Sequence, residues 1–211
     1  MSILIITAVP AERDAILAAV IDPEIEVAVG GVGPAAAAAA TAAALAATPA
    51  GERPELVLSA GIGGGFGAVP VGGIAVATQI VFADLGAETP DGFRPLGLDT
   101  ERYPVDRDLA RRLAVATGGF AGAILTVATV TGTTASADRL LRAHPDAVAE
   151  GMEGAGVAAA AQLHDIPFGE LRAISNRVGP RQREQWRIPE ALIALGGAAA
   201  ALVSSPWRIA P

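Results

Sequence analysis

Short continuous apolar runs alternate with longer stretches of small residues, and the alternation recurs along the whole chain. Ile3 to Ala8 is the first run, rich in β-branched side chains, and Pro10 behind it suits a first helical turn. This predicts a strand, a tight loop and a helix to about Ile21. Ile25 to Val29 predicts a second strand, ended by Gly30-Gly31-Val32-Gly33, after which Pro34 opens an alanine helix to Ala47. Glu55 to Ala60 is a third strand. Gly61-Ile62-Gly63-Gly64-Gly65-Phe66-Gly67 then reads as a loop able to touch a ligand with main-chain N–H groups. Gly73 to Ala83 shows no helical periodicity and predicts one long or bent strand, bulged at its Gly pair.

From Leu85 to Tyr103 the pattern is irregular, with Pro90, Asp91, Gly92 and Pro95, and predicts a functional loop or an oligomer contact. Helix is predicted over Asp106 to Thr117 and strand over Ala123 to Val130, with Thr131 to Ser136 a polar loop leading into a short helix capped by Asp138. A brief strand at Val148-Ala149, a small-residue helix from Glu153 to Leu163, a strand from Phe168 to Ile174 and a helix from Pro189 to Val203 complete the order. Such alternation implies one α/β domain over residues 1–211, with a mainly parallel sheet covered by helices on both faces and a ligand at the strand C-terminal ends.

Composition narrows the chemistry. Of 211 residues 52% are hydrophobic and 18% charged, the net charge is −7, and no basic stripe offers the phosphate-neutralising footprint of a nucleic-acid partner. The absence of Cys removes disulfides and thiolate catalysis, and two His make a metal centre an unsuitable basis, so the expected site uses neither metal nor cofactor. The N-terminus has no positive n-region, and the alanine run Pro34 to Thr48 is shorter than the ~20 residues of a membrane helix. A cytoplasmic protein with no membrane partner is expected.

Four positions at strand ends carry candidate chemistry. Glu12 follows the first strand, although an acid near the third position of a helix also complements the helix dipole. Glu153 lies beside Met152 between Gly151 and Gly154, a flanking that suits a close ligand as well as a first-turn acid. Asn176 follows Ile174-Ser175, where a turn-forming Asn is an adequate plainer account. His144 and His164 fit structural or surface roles. The glycine loop lacks the spacing of a dinucleotide fingerprint and the Lys-Ser or Lys-Thr of a P-loop. Two carboxylates, an amide and a main-chain loop suit cleavage of an N-glycosidic bond, which by analogy with glycoside hydrolysis needs an acid/base group and a hold on the sugar hydroxyls.

These residues resemble the nucleoside phosphorylase and nucleosidase superfamily. The likeness is carried by Ile5-Ile6-Thr7-Ala8 with Glu12, Gly31-Val32-Gly33, Ser59-Ala60-Gly61-Ile62-Gly63-Gly64, Gly72-Gly73-Ile74, Met152-Glu153-Gly154-Ala155 and Arg172-Ala173-Ile174-Ser175. It implies a nucleoside phosphorylase-like three-layer sandwich with a mixed, mainly parallel central sheet. Methylthioadenosine/S-adenosylhomocysteine nucleosidases carry Asp after Ile-Ser, whereas this chain has Asn176. A neutral amide suits N7 or O6 of a 6-oxopurine better than a 6-amino leaving group. The continuation Asn176-Arg177-Val178-Gly179-Pro180-Arg181, with Trp186 and Ile188-Pro189, is similar to the futalosine hydrolases of menaquinone biosynthesis, which release hypoxanthine.

The resemblance implies Glu12 as the base that activates water and Asn176 as the catalytic partner of the leaving purine. It implies Glu153 on the ribose 2′ and 3′ hydroxyls, with Met152, Ile62, Gly63, Gly64 and Ser175 around the nucleoside and the Thr131 to Thr134 loop, including Thr133, bordering the base. Ile62 replaces the Ser of the adenosine nucleosidases, so no side-chain hydrogen bond is expected there. No base stands near Gly33 or Gly61, which favours hydrolysis over phosphorolysis. Four of the fifteen Lys and Arg residues fall between Arg177 and Arg187, and Arg177, Arg181 or Arg183 is a candidate for the carboxylate of the non-purine end, against a plainer role in tying down the loop. A homodimer or larger ring acting on a small purine nucleoside is expected. Two alternatives stay open: another purine nucleosidase, for adenosine thioethers or inosine, and a catalytically silent nucleoside-binding protein.

Overall fold

A computed structural model describes residues 1–204. It contains β1 (Ile3–Thr7), α1 (Pro10–Ala19), β2 (Ile25–Val29), α2 (Pro34–Ala47), β3 (Leu56–Gly65), β4 (Ile74–Phe82), β5 (Gly86–Thr89), β6 (Gly92–Pro95), β7 (Arg102–Pro104) and α3 (Arg107–Thr117). β8 (Phe120–Thr126), α4 (Thr134–Ala143), β9 (Ala147–Gly151), α5 (Gly154–Leu163), β10 (Phe168–Arg177) and α6 (Ile188–Ser204) follow. Residues 205–211, the last part of the expected domain, lie outside the described residues.

The strands form a mixed sheet in the order β10-β4-β8-β9-β3-β1-β2, with β7 on β4. β10 also pairs with β3, so the sheet curls and closes on itself through β3, β10, β4, β8 and β9, leaving β1 and β2 as an extension. Helices cover both faces. α1, α3 and α6 pack over the cluster that holds Ile5, Leu58, Leu171 and Leu195, and α2 and α5 pack over the one that holds Leu4, Ile6, Leu45 and Val157. Small residues bring the second pair of helices unusually close: a Cβ at Gly156 of α5 would meet the Pro34 carbonyl oxygen of α2 at 2.0 Å. That approach brings the start of α5 to the start of α2, where the site forms.

Several expectations are corrected. Gly61 to Gly65 is the second half of β3 and not a loop, paired to β10 and, at its end, to β9. Its glycines are required by crowding between neighbouring strands, since a Cβ at Gly65 would lie 2.8 Å from Ile174. The irregularity in β4 falls between Ala77 and Gln79 of its pairing with β8, and not at Gly72-Gly73. The stretch from Leu85 to Tyr103 holds the hairpin β5-β6 and the short β7, elements too brief to leave a periodicity. β8 starts and stops earlier than predicted, and α4 is capped by the Thr133 hydroxyl, which accepts from Ser136 N–H at 3.1 Å, and not by Asp138. β10 runs on through Ser175 and Asn176 to Arg177, bulged between Ile174 and Asn176. Among the described residues no helix is long and apolar enough to cross a membrane, and no group of three His, Asp or Glu is arranged to hold a metal ion.

Candidate active site

Glu12 lies in the first turn of α1 and is 3% exposed. Its Oε2 accepts from the Ala8 and Val9 N–H groups at 2.8 and 3.2 Å, the usual service of a first-turn acid. Its Oε1 leaves the helix and accepts from Ile62 N–H of β3 at 2.9 Å. Three main-chain donors therefore fix one carboxylate where the end of β1 meets the middle of β3. The main-chain N–H expected to face a ligand is spent in orienting this acid.

Below Glu12 lies a charged residue that pattern reading passed over. Arg172 of β10 is 1% exposed, with its Nε donating to Glu170 Oε1 at 2.8 Å, Nη2 to Ser59 Oγ at 3.0 Å, and Nη1 at 3.0 Å from Glu153 Oε2. Gly61 makes the arrangement possible: a Cβ there would sit 2.6 Å from Glu12 Oε1 and 2.7 Å from Arg172 Nη1. Burial alone would lower the Arg172 pKa, but the carboxylates of Glu170, Glu153 and Glu12 outweigh it and hold the guanidinium above its ordinary value. Burial raises the Glu170 pKa, an effect that Arg172 offsets in part, and Glu170 Oε2 has no hydrogen-bond partner. The sequence signal is a Glu and an Arg two residues apart within the apolar run Phe168 to Ile174, which places both on one face.

Glu153 sits at the N-terminus of α5, 4% exposed, and besides Arg172 it accepts from Gly33 N–H at 3.2 Å and Met152 N–H at 3.3 Å. Gly33, at φ +92°, turns the chain into α2 in a conformation that glycine adopts readily. Ser175 Oγ contacts the Asn176 Oδ1 at 2.8 Å and the Gly63 carbonyl at 3.2 Å, and Asn176 Nδ2 donates to the Arg177 carbonyl at 2.9 Å. The serine hydroxyl thus holds the amide oxygen, and the NH2 keeps a second N–H to offer.

Glu12, Ile62, Gly63, Gly64, Met152, Glu153, Ser175 and Asn176 line one cavity of about 480 Å³. Thr131, Glu150, Arg183 and Trp186 complete much of the remaining wall. The walls do not all come from strands of one sense. β9 runs antiparallel to β3, with Gly64 opposite Glu150, so Met152 and Glu153 enter from the direction opposed to Glu12 and Asn176. Two expected residues stand outside. Thr133 is occupied in capping α4, and Thr131, two residues earlier, is the threonine on the cavity wall. Arg177 donates to the Val69 carbonyl at 2.9 Å and the Gly67 carbonyl at 2.6 Å, tying down a loop. Arg181 and Arg183 lie 6.0 and 5.8 Å from the Trp186 ring centroid, and of the three candidate arginines Arg183 is the one on the cavity wall.

Residues 3–205 match the family model of the phosphorylase superfamily, and the chain belongs to that superfamily. Within it the chain belongs to the futalosine hydrolases. It is 49% identical to a futalosine hydrolase of Streptomyces coelicolor, covering 99% of this chain and 98% of that protein. Identity to the futalosine hydrolase of Acidothermus cellulolyticus is 47%, over 94% and 89% of the two chains. The fold is that of two solved structures with 19% identity to this chain. The futalosine hydrolase of Helicobacter pylori has a TM-score of 0.79 (96% and 97% coverage), and the methylthioadenosine/S-adenosylhomocysteine nucleosidase of Neisseria meningitidis in complex with methylthio-immucillin-A one of 0.80 (96% and 98%).

Proposed function

We propose that this chain hydrolyses the N-glycosidic bond of futalosine and releases hypoxanthine, as a cytoplasmic step of menaquinone biosynthesis. The observation that carries the reading is the meeting of Glu12, Glu153 and Asn176 on one cavity wall, in a chain of the futalosine hydrolase family. Cleavage moves positive charge onto the sugar ring and negative charge onto the leaving purine. Glu12 takes a proton from the attacking water, a contribution of about 10²–10⁴ in rate. Glu153, already oriented by Arg172, Met152 N–H and Gly33 N–H, keeps an Oε1 lone pair for the ribose 2′ and 3′ hydroxyls, and Met152 packs beside the ribose. The free N–H of Asn176 supports the purine at N7 or O6 as it departs with the bonding electron pair.

To Arg183, beside Trp186 at the cavity wall, we assign the carboxylate of the non-purine end, a role its position on that wall supports. The β5-β6 hairpin and the segment behind it expose Phe93, Leu96 and Leu98, and assembly into a homodimer or larger ring is proposed on that face. Arg172, beneath the site, is buried and engaged by Glu170, Ser59 and Glu153, so its charge is committed to those groups and is not offered to an attacking phosphate. Adding inorganic phosphate to futalosine and enzyme is expected to change neither the rate nor the products. A rate that rises with phosphate, with a sugar 1-phosphate as product, would show phosphorolysis and overturn the hydrolytic reading.

A further inference from the structure

Asn176 alone does not explain a preference for a 6-oxopurine. An amide carries both a donor and an acceptor, and a turn that gave up its bonds to Ser175 Oγ and the Arg177 carbonyl would let it serve the 6-amino group of adenine in place of O6 of hypoxanthine. A firm choice requires a group that only accepts, or only donates, at the purine's six-membered edge.

Glu150 meets that requirement. It ends β9, is 5% exposed and lines the same cavity as Asn176. Gly64 of β3 is opposed by Glu150 on one side and by Asn176 on the other. Residues in register on neighbouring strands project from the same face of a sheet. A Cβ at Gly64 would come within 3.5 Å of Asn176 Nδ2, so the amide lies on that shared face. Glu150 Oε1 accepts from Thr131 N–H at 2.9 Å and Oε2 from the Thr131 hydroxyl, so each oxygen is held and retains a lone pair. The Thr131 loop is itself fixed, because Asp84 Oδ2 accepts from Ala128 N–H at 2.7 Å and Thr129 N–H at 3.2 Å. Burial raises the Glu150 pKa; Thr131 pulls it back and the charge of Asp84 adds to the rise. This carboxyl is short of donors and gains from one more.

We propose that Glu150, oriented by Thr131, accepts a hydrogen bond from N1–H of the 6-oxopurine while Asn176 serves the opposite edge, and that this pair excludes 6-aminopurines. The inference rests on the purine-nucleosidase reading of the site. N1 of a 6-oxopurine is a donor, whereas N1 of a 6-aminopurine is an acceptor that would face the carboxylate lone pair to lone pair. A site built around a buried polar group rejects the ligand that leaves it unpaired.

The test uses free bases and is independent of which nucleoside is the substrate. Dissociation constants for hypoxanthine and adenine are measured by titration calorimetry on the full chain and on Glu150→Gln. The Gln oxygen is needed by Thr131 N–H, so its NH2 takes the place of Oε2 and presents a donor to the ligand. Hypoxanthine is expected to bind about 10- to 100-fold more weakly to the variant, the loss of a hydrogen bond to a charged group. Adenine affinity should be unchanged or improved. Thr131→Val, which keeps the main-chain donor and the volume, should move the same ratio in the same direction by less and serves if Glu150→Gln does not fold. Equal losses for both bases, no change in their ratio, or a parent that binds adenine as tightly as hypoxanthine would overturn the proposal. Failure of the parent to release hypoxanthine from futalosine would instead overturn the function proposed above.

Discussion

Glu12→Gln is expected to fold as the parent does and to lose about 10²–10⁴ in kcat on futalosine, with little change in hypoxanthine affinity. The amide oxygen can take over the two contacts made by Glu12 Oε2, with Ala8 and Val9 N–H. Its NH2 then faces the Ile62 N–H, a lost hydrogen bond costing about 1 kcal/mol and leaving the core intact. What disappears is the group that takes the proton from water, so the loss should fall on kcat, while the purine contacts, which lie on other elements, remain. Turnover within a few-fold of the parent would remove Glu12 from the chemistry and leave it as a helix-terminus acid. A parallel collapse of hypoxanthine binding would mean that Glu12 shapes the pocket and does not act on water.

The second large effect is expected on stability. Arg172→Met removes the guanidinium that contacts Glu170, Ser59 and Glu153, all of them buried. Replacing a whole buried charge cluster with apolar residues can be neutral, but removing one partner leaves uncompensated charge and costs about 3–5 kcal/mol. The urea midpoint should therefore fall steeply at unchanged m-value. Arg172→Met combined with Glu170→Leu should recover part of the loss, because one orphaned carboxylate is gone while Glu153 remains. A single-variant cost under about 1 kcal/mol, or no recovery in the double variant, would contradict the account of Arg172 as the shared counter-ion beneath the site.

The order of elements was legible because strand and helix runs are separated by unambiguous punctuation: β2 and α2 begin and end where Ile25, Val29, Pro34 and Ala47 place them. Closure of the sheet was not legible. It depends on β3 pairing with three strands, and the glycines that permit this look in sequence like a loop. That Glu12, Met152-Glu153 and Ser175-Asn176 share one cavity could be anticipated because each lies at or near the end of an apolar run and in a stretch that resembles a known superfamily. Arg172 and Glu150 lie inside strands, where a charge reads as an interruption until its partners are seen across the sheet. The sequence puts Thr131 and Thr133 in one loop beside the site, and only the cap to Ser136 tells their roles apart. Arg177 was chosen for its charge, but charge carries no information about the carbonyls of Gly67 and Val69, to which the side chain is bonded.

The most direct test of the central claim is to incubate the purified protein, in phosphate-free buffer, with futalosine and separately with methylthioadenosine, and to follow free base by chromatography. The account predicts steady release of hypoxanthine from futalosine, and adenine release from methylthioadenosine slower by at least about 10², the discrimination that an unpaired polar group can supply. Release of adenine at a comparable or greater rate, or no hypoxanthine from futalosine, would contradict it.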